Sequence, residues 1–197
     1  MIVMTKAKSV KEIFEDFFKS NDRLSIGNMY FKPYNAITDR VVEKYVPEDW
    51  QKIFKDVTEE DLMDLSSCSN VVILIWYDKH LNLPHGMLYF EENHASPKEV
   101  AFHGGTWDHS SCYFRNIFKS VIHVFDYLLS YNMNITTTCG LGNLRADKFQ
   151  RQLCFETIGT TDSFVMKRLN KESYFESNFI KALRQTNKKR HGQFITN

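Results

Sequence analysis

Two spacings of apolar residues run along this chain, one helical and one extended. Near the start, Val10, Ile13, Phe14, Phe17 and Phe18 recur at helical spacing. Ser9 precedes them, and Glu12 follows three residues later. This S-x-x-E pattern satisfies two otherwise orphaned amide donors at a helix start. It predicts an opening helix over 9–20, ended by Asn21-Asp22. Met29–Tyr34 alternates weakly and reads as a first strand. Ile37 to Cys68 is helical and loop sequence. In it Pro47 suits a first helical turn, with Trp50, Ile53 and Phe54 on one face. Thr58 to Leu65 reads as a second short helix, with Thr58 and Asp61 spaced for a cap.

Beyond Cys68 the pattern changes. Val71–Tyr77 is continuously apolar and β-branched, which predicts a strand buried on both faces. Gly86–Phe90 and Glu99–His103 read as two more strands, separated by the polar stretch Glu91–Lys98. Asp108 to Tyr131 holds the longest helix. Its stripe of Tyr113, Phe114, Ile117, Phe118, Val121, Ile122, Phe125, Leu128 and Leu129 is wide enough to cover a sheet face. A strand over Ile135–Cys139 follows, then Asn143 as a cap, a short helix ending at Cys154-Phe155, and a strand pair over Phe155–Ile158 and Phe164–Leu169. The tail carries one short apolar helix (Tyr174, Phe175, Phe179, Ile180, Leu183) and ends in Lys188-Lys189-Arg190-His191. No internal repeat is visible.

Composition narrows the class. The chain has 197 residues, enough for one domain with a sizeable core. A net charge of +1 creates no field that would recruit nucleic acid or a membrane surface, and the short basic run at 188–191 reads as a solvated face. The start, MIVMTKAKSVKEIF, lacks the apolar run of a signal peptide, and no stretch approaches the ~20 apolar residues of a membrane span. Cys68, Cys112, Cys139 and Cys154 show neither a CxxC pairing nor zinc spacing. Scattered thiols favour a reducing compartment, so the sequence predicts a cytoplasmic protein without a metal.

The stretch NLRADKFQRQLCF, Asn143 to Phe155, stands directly after the strand Ile135–Cys139 and before the strand pair. This series resembles the C-terminal half of the GNAT superfamily, the acetyl-CoA-dependent N-acetyltransferases. That family writes the segment as Asn-x-x-(Ala/Ser), seven residues, then Gly-Phe. Asn143, Ala146 and Phe155 fall in register, and Cys154 stands at the glycine. The resemblance spans about 29–169 and is nearest in pattern to ribosomal-protein-type N-acetyltransferases. It implies a single α/β domain (α+β type) over 1–197, with an N-terminal helix over 9–20, a core over about 29–169 and a helical, basic tail over 170–197. Its sheet is mixed, mostly antiparallel and splayed, with helices on both faces. It further implies an acetyl-CoA-dependent acyltransferase acting on an amine, either a small molecule or a protein N-terminus or lysine, by direct attack. The sequence is compatible with a homodimer.

The same resemblance assigns sites. The family holds the pyrophosphate of coenzyme A at the start of the long helix, where unpaired amides and the helix dipole receive an anion. Spacing back from Asn143 lays that loop on His109, Ser110, Ser111, Cys112, Tyr113 and Phe114. Cys112 and Phe114 replace the small residues that let phosphates reach the backbone, and Asp108 adds a negative charge. Ser110 and Ser111 can donate hydrogen bonds, and His109, Arg115 and Lys119 can balance charge; equally, either serine can simply cap the helix. Gly104, Gly105 and Thr106 end the strand that the family bulges and splays to admit pantetheine, which pairs with the free edge. Gly140 and Gly142 end the other splayed strand. Alternatively these glycines only make turns.

For chemistry, His103 beside the gap is the candidate general base, with Asp108 and His109 behind it. The competing reading of His103 is a packed strand residue. Many GNAT enzymes protonate the leaving sulfur with a Tyr seven residues after Asn143; here Gln150 stands there and could hydrogen-bond the sulfur. Cys112 and Cys154 lack the partners of a cysteine nucleophile. Two other outcomes keep the same fold: a binding or regulatory protein without catalysis, which the Cys112 and Phe114 replacements favour, and a transferase using another acyl donor, such as a charged tRNA or a longer acyl-CoA.

Overall fold

The computed structural model describes residues 8–19, 22–39, 41, 58–93, 95–96, 98–106 and 111–191, with the backbone alone for 111–114 and 186–191. The helix start at Pro47, with Trp50, Ile53 and Phe54, lies outside the described residues.

Alternation along one strand separates two cores. Every residue of β3 (Val71–Asp78) is buried. Val72, Leu74 and Trp76 join the larger cluster, whereas Val71, Ile73, Ile75 and Tyr77 join the smaller one on the opposite face. Successive side chains of a strand point to opposite sides, so a continuous apolar run needs cover on both. The larger core is covered by α1 (Val10–Phe18) and the 20-residue α3 (Ser111–Ser130). The smaller is covered by α2 (Glu59–Ser67), through Leu62.

Eight strands form one sheet in the order β1-β2-β3-β4-β5-β6-β8-β7. They are β1 (Leu24–Ile26), β2 (Met29–Pro33), β3, β4 (Pro84–Glu92), β5 (Glu99–Thr106), β6 (Asn134–Gly140), β7 (Phe155–Thr160) and β8 (Phe164–Leu169). Among the described strands only β5–β6 is parallel. The mixed, mostly antiparallel sheet with helices on both faces is the predicted class.

The caps behave as their residues dictate. Ser9 and Glu12 close the capping box of α1, and Thr58 and Asp61 close that of α2. Asn143 caps α4 (Leu144–Gln152) by accepting from the Ala146 amide at 3.1 Å. The tail differs from the single helix predicted. It forms α5 (Lys171–Glu176) and α6 (Asn178–His191), broken at Ser177. Tyr174, Ile180 and Leu183 are buried against α3, while Phe175 and Phe179 stay exposed. Arg184 clamps Asp126 of α3 with two hydrogen bonds, and the Tyr174 hydroxyl donates to Asp126 at 3.0 Å. Such a forked pair fixes orientation as well as contact.

Candidate functional site

The site is a gap in the sheet. Strands β5 and β6 pair at Glu99–Asn134, Val100–Ile135 and Ala101–Thr136, and there the pairing stops. Beyond it, among the described residues, Phe102–Thr106 pairs only with β4, and Thr137–Gly140 only with β8. Two parallel strands that part in this way leave a wedge lined by strand edges. This is the splay that the family resemblance implied.

The direction of each peptide group can be read along both edges. The Asn134 amide donates to Lys98 O at 2.6 Å, across β5–β6. The Asn93 amide donates to Glu99 O at 2.9 Å, across β4–β5. Hydrogen-bonding direction alternates along a strand. The even-numbered residues of β5, Phe102 and Gly104 among them, therefore turn their N–H and C=O toward the gap. His103 and Gly105 turn theirs toward β4. On β6 the gap-facing residues are Thr138 and Gly140, while Leu141 turns the other way and donates to Ser163 O at 3.0 Å.

The bulge expected at Gly104-Gly105 is absent: β4 and β5 keep one register from Gly86–Thr106 to Glu92–Val100. The irregularity lies one strand over, where β4 carries His85 as an extra residue opposite Trp76 and Tyr77. Gly104 instead permits a close approach. A Cβ there would lie 2.6 Å from Leu88 Cδ2 and 3.0 Å from Met87 O. At Gly86 a Cβ would lie 2.4 Å from Gly105 O. Glycines thus bring β4 and β5 together beside the gap while Gly104 stays exposed to it. Thr106 directs its hydroxyl to His85 O at 2.8 Å. On the β6 side, Gly142 takes a left-handed φ of +83° and turns the chain into α4, which glycine does without steric cost.

His103 lies on the face of the smaller core. It is opposite Tyr89 in the β4–β5 register, with ring centroids 5.8 Å apart. Burial pushes its pKa below the usual histidine value, and the nearby Glu91 carboxylate pulls partly back. The imidazole is held neutral, the form a base requires. Tyr89 donates to Glu91 at 2.9 Å, and burial raises its phenol pKa strongly. The sequence does not single out Tyr89 and Glu91, because Glu91 reads as loop; the i, i+2 spacing of Met87, Tyr89 and Glu91 is the signal that joins them to His103.

Gln150 approaches from the other face, on α4. It is 5% exposed. Its Nε2 donates to Thr137 Oγ1 at 3.2 Å and to Thr138 O at 3.1 Å. A hydrogen bond to a leaving sulfur is therefore not what its amide offers: both donors already face β6. Beneath it, Lys167 of β8 is buried opposite Thr137 and pairs with Asp147 of α4, which also pairs with Arg151. The Lys167 hydrogen bond holds the Asp147 carboxyl below its usual range. This pair fastens α4 to the far side of the sheet.

Asp108, His109 and Ser110 lie outside the described residues. Ser111, Cys112, Tyr113 and Phe114 form the first turn of α3, with the backbone alone described. Arg115 is exposed next to that turn, while Lys119 is buried farther along, near Asp126 and Arg184. Burial raises the thiol pKa of Cys139 and Cys154, the reverse of what a nucleophile needs. Among the described residues no group of three or more His, Cys, Asp or Glu could hold a metal ion, and no helix is long and apolar enough to cross a membrane.

No protein-family model matches the sequence, and no curated protein is similar to it. Solved structures are similar in fold. A probable acetyltransferase of the GNAT family from Chromobacterium violaceum ATCC 12472 superposes with a TM-score of 0.66 at 9% identity, over 90% of this chain and 95% of that one. A GCN5-related N-acetyltransferase from Brucella melitensis gives 0.65 at 11% identity, over 83% and 84%. The ribosomal-protein-S5-alanine acetyltransferase from Vibrio fischeri gives 0.57 at 9% identity, over 77% and 98%. The chain has the GNAT acetyltransferase fold. Ribosomal-protein acetyltransferases are among the structures it resembles.

Proposed function

We propose that this protein is an N-acetyltransferase of the cytoplasm that takes acetyl-CoA as cosubstrate in the gap between β5 and β6 and transfers the acetyl group to an amine. The observation that carries the reading is the splay itself. A sheet forgoes strand pairing between two adjacent strands and turns the peptide groups of Phe102, Gly104, Thr138 and Gly140 toward the opening. Unpaired strand edges take an extended, amide-bearing chain as they would take a peptide. Gly104 is exposed at that edge. The start of α3 at Ser111, with Arg115 exposed beside it, offers amide N–H groups and a cation to phosphates.

Bound acetyl-CoA would supply an activated thioester carbonyl. The protein's own part is to present a neutral base and to exclude water. His103, held neutral by burial, accepts the amine proton, directly or through a water. Tyr89 and Glu91 orient that face. No acid is required to release the sulfur, since a thiol pKa of roughly 8.5 makes the thiolate a tolerable leaving group.

One observation favours a second reading, a binding or regulatory protein without turnover: Cys112 and Phe114 stand where the family keeps small residues at the start of the long helix. Acetyl-CoA should raise the melting temperature of an active protein, because a ligand that binds only the native state stabilises it. No shift and no heat at millimolar acetyl-CoA would remove the enzyme reading and leave the protein that has lost cofactor use. Turnover against a panel of amines separates them. In an active protein His103→Ala should lower kcat with acetyl-CoA affinity nearly intact, and the loss should shrink as pH rises and the amine deprotonates unaided. Because burial depresses the His103 pKa, the acid limb of the wild-type profile should fall below the ordinary histidine range. A melting loss with an unchanged pH profile would instead make His103 a packing residue.

A further inference from the structure

Arg23 lies over the Tyr30 ring, and Arg151, Arg168 and Arg184 pair with Asp147, Glu99 and Asp126. Arg115 and Arg145 are different. Both are exposed, and among the described residues neither pairs with a carboxylate or a ring. The fold nevertheless brings these two together. Strands β5 and β6 run parallel, and α3 and α4 follow their splayed ends. Both helices therefore start at the mouth of the gap and run back along the sheet in the same direction. Phe118 of α3 meets Phe149 of α4 with ring centroids 4.4 Å apart, so these two helix faces look at each other. Arg115 stands three residues before Phe118, and Arg145 four before Phe149. Residues at those spacings share a helix face.

Each arginine thus lies roughly 5 Å nearer the mouth than the contact between the rings, from the rise of an α-helix. Helical side chains lean toward the N-terminus, which carries both guanidinium groups to the mouth. Below them Phe179 of α6 packs on Phe118, with centroids 5.2 Å apart, and stays 39% exposed. Two cations that converge repel each other, and an anion between them reverses the sign. A guanidinium fork matches the oxygens of a phosphate. We infer that Arg115 and Arg145 share one phosphate of a nucleotide, whose base lies against the exposed ring of Phe179. The inference rests on the proposed use of acetyl-CoA, whose nucleotide end stays outside a gap that its arm enters. Arg145 and Phe179 belong to helices outside the phosphate loop that the family resemblance assigns.

The probe is adenosine 3′,5′-bisphosphate, which has the base and phosphates but neither the arm nor the thioester. Calorimetry should show it binding to the wild-type protein, more weakly as salt rises. Arg115→Ala and Arg145→Ala should each weaken binding about tenfold or more. The double variant should lose less than the product of the two, because both arginines hold one anion. Phe179→Ala should weaken the bisphosphate about fivefold or more, through the lost contact with the base. Lys148 is exposed on the side of α4 away from the buried Gln150, and Lys148→Ala should change little. No binding to the wild-type protein would overturn the inference. So would a loss at Lys148 as large as at Arg145, fully multiplicative losses at the two arginines, or no loss at Phe179. If acetyl-CoA still raises the melting temperature in those cases, the proposed function stands without this site. Conversely, coupled binding of the bisphosphate without turnover of any amine would uphold the nucleotide site and remove the enzyme reading.

Discussion

Strands β1–β5 and the group β6, β8 and β7 meet through three residue pairs, and the two regions are stabilised by different means. The first region is apolar on both faces: β3 is buried throughout, and separate clusters lie above and below it. Among the described residues, the second is covered on one face only. There Ile135, Cys139, Leu153, Phe155 and Leu169 are buried with the polar Thr137, Gln150 and Lys167, beside a half-buried Asp147, while Thr138, Phe164, Met166 and Arg168 on the other face are exposed. A sheet buried on both sides has apolar area to bury on each, and its polar pairs, such as Lys32–Asp39 and Tyr34–Glu59, add to that area. A sheet covered on one side has less area to bury, and here directional bonds between α4, β6 and β8 supplement it. The gap opens at the junction of these two constructions, where neither core demands that the strands stay paired.

The comparison is tested most severely by deleting aromatic bulk on each side. Phe90 is fully buried and packs on Phe14 and Phe102, with centroids 5.0 and 5.5 Å away. Phe90→Ala should cost about 3–5 kcal/mol in chemical denaturation. Phe164 is 52% exposed on the uncovered face, and Phe164→Ala should change stability by about 0.5 kcal/mol or less. A large loss at Phe164 would mean that this face is covered in solution, and the contrast between the two regions would fail.

A smaller effect follows from the buried cation. Asp147→Ala leaves the Lys167 ammonium, whose side chain is 3% exposed, without its carboxylate. Removing one partner of a buried pair is costly, but Asp147 is itself partly open and water can replace it in part. We expect a loss of about 1–3 kcal/mol, and recovery of much of it when Lys167→Met is added. A double-mutant cycle reads the coupling. No recovery would mean that area, not the ion pair, holds α4 to β8. The linkage has a definite sign. Asp147 has a lowered pKa when folded, so its contribution is present above the unfolded carboxyl value and is lost as pH falls through the folded one. Acid should therefore loosen the second region through a group that Asp147→Ala no longer has.

Part of this is legible in the sequence for local reasons. Ser9-x-x-Glu12, Thr58-x-x-Asp61 and Asn143 are caps whose partners lie within three residues, and each caps the helix its spacing predicts. The double burial of β3 follows from composition alone. Strand β1 is not legible, because Leu24–Ile26 is only three residues long and pairs through a tight turn at Gly27-Asn28. The bulge sits away from its expected position because a glycine suited to a bulge and a glycine suited to close approach look alike; Leu88, sixteen positions away, decides the matter at Gly104. The role of Gln150 turns on which of its two amide atoms meets Thr138, and that depends on the direction of a peptide group in another element. Of the proposed phosphate loop over His109 to Phe114, His109 and Ser110 lie outside the described residues, as does Asp108 beside it.

The finest test of the second region is at Cys154, where the family resemblance sets a cysteine on a glycine position. The structure gives the reason for glycine there. Helix α4 ends at Gln152 with Leu153 as its cap, and the Leu153 and Cys154 amides donate back into its last turn. Cys154 takes φ +65°, the left-handed conformation in which helices commonly close. A side chain in that conformation strains against its own backbone by about 1–2 kcal/mol. Its thiol is partly buried and packs on the larger core, which offsets some of the strain. Cys154→Gly should therefore stabilise the protein by about 0.5–1 kcal/mol, after allowance for the greater freedom of glycine in the unfolded chain. Cys154→Ala keeps the Cβ and the strain but loses the sulfur, so it should be neutral or destabilising. Melting curves of the two variants against wild type make the measurement. If alanine stabilises as much as glycine, the sulfur rather than the backbone is the poorly placed element. If glycine destabilises, the packing of Cys154 outweighs its strain, and apolar contact contributes more to the second region than its mixed interior implies.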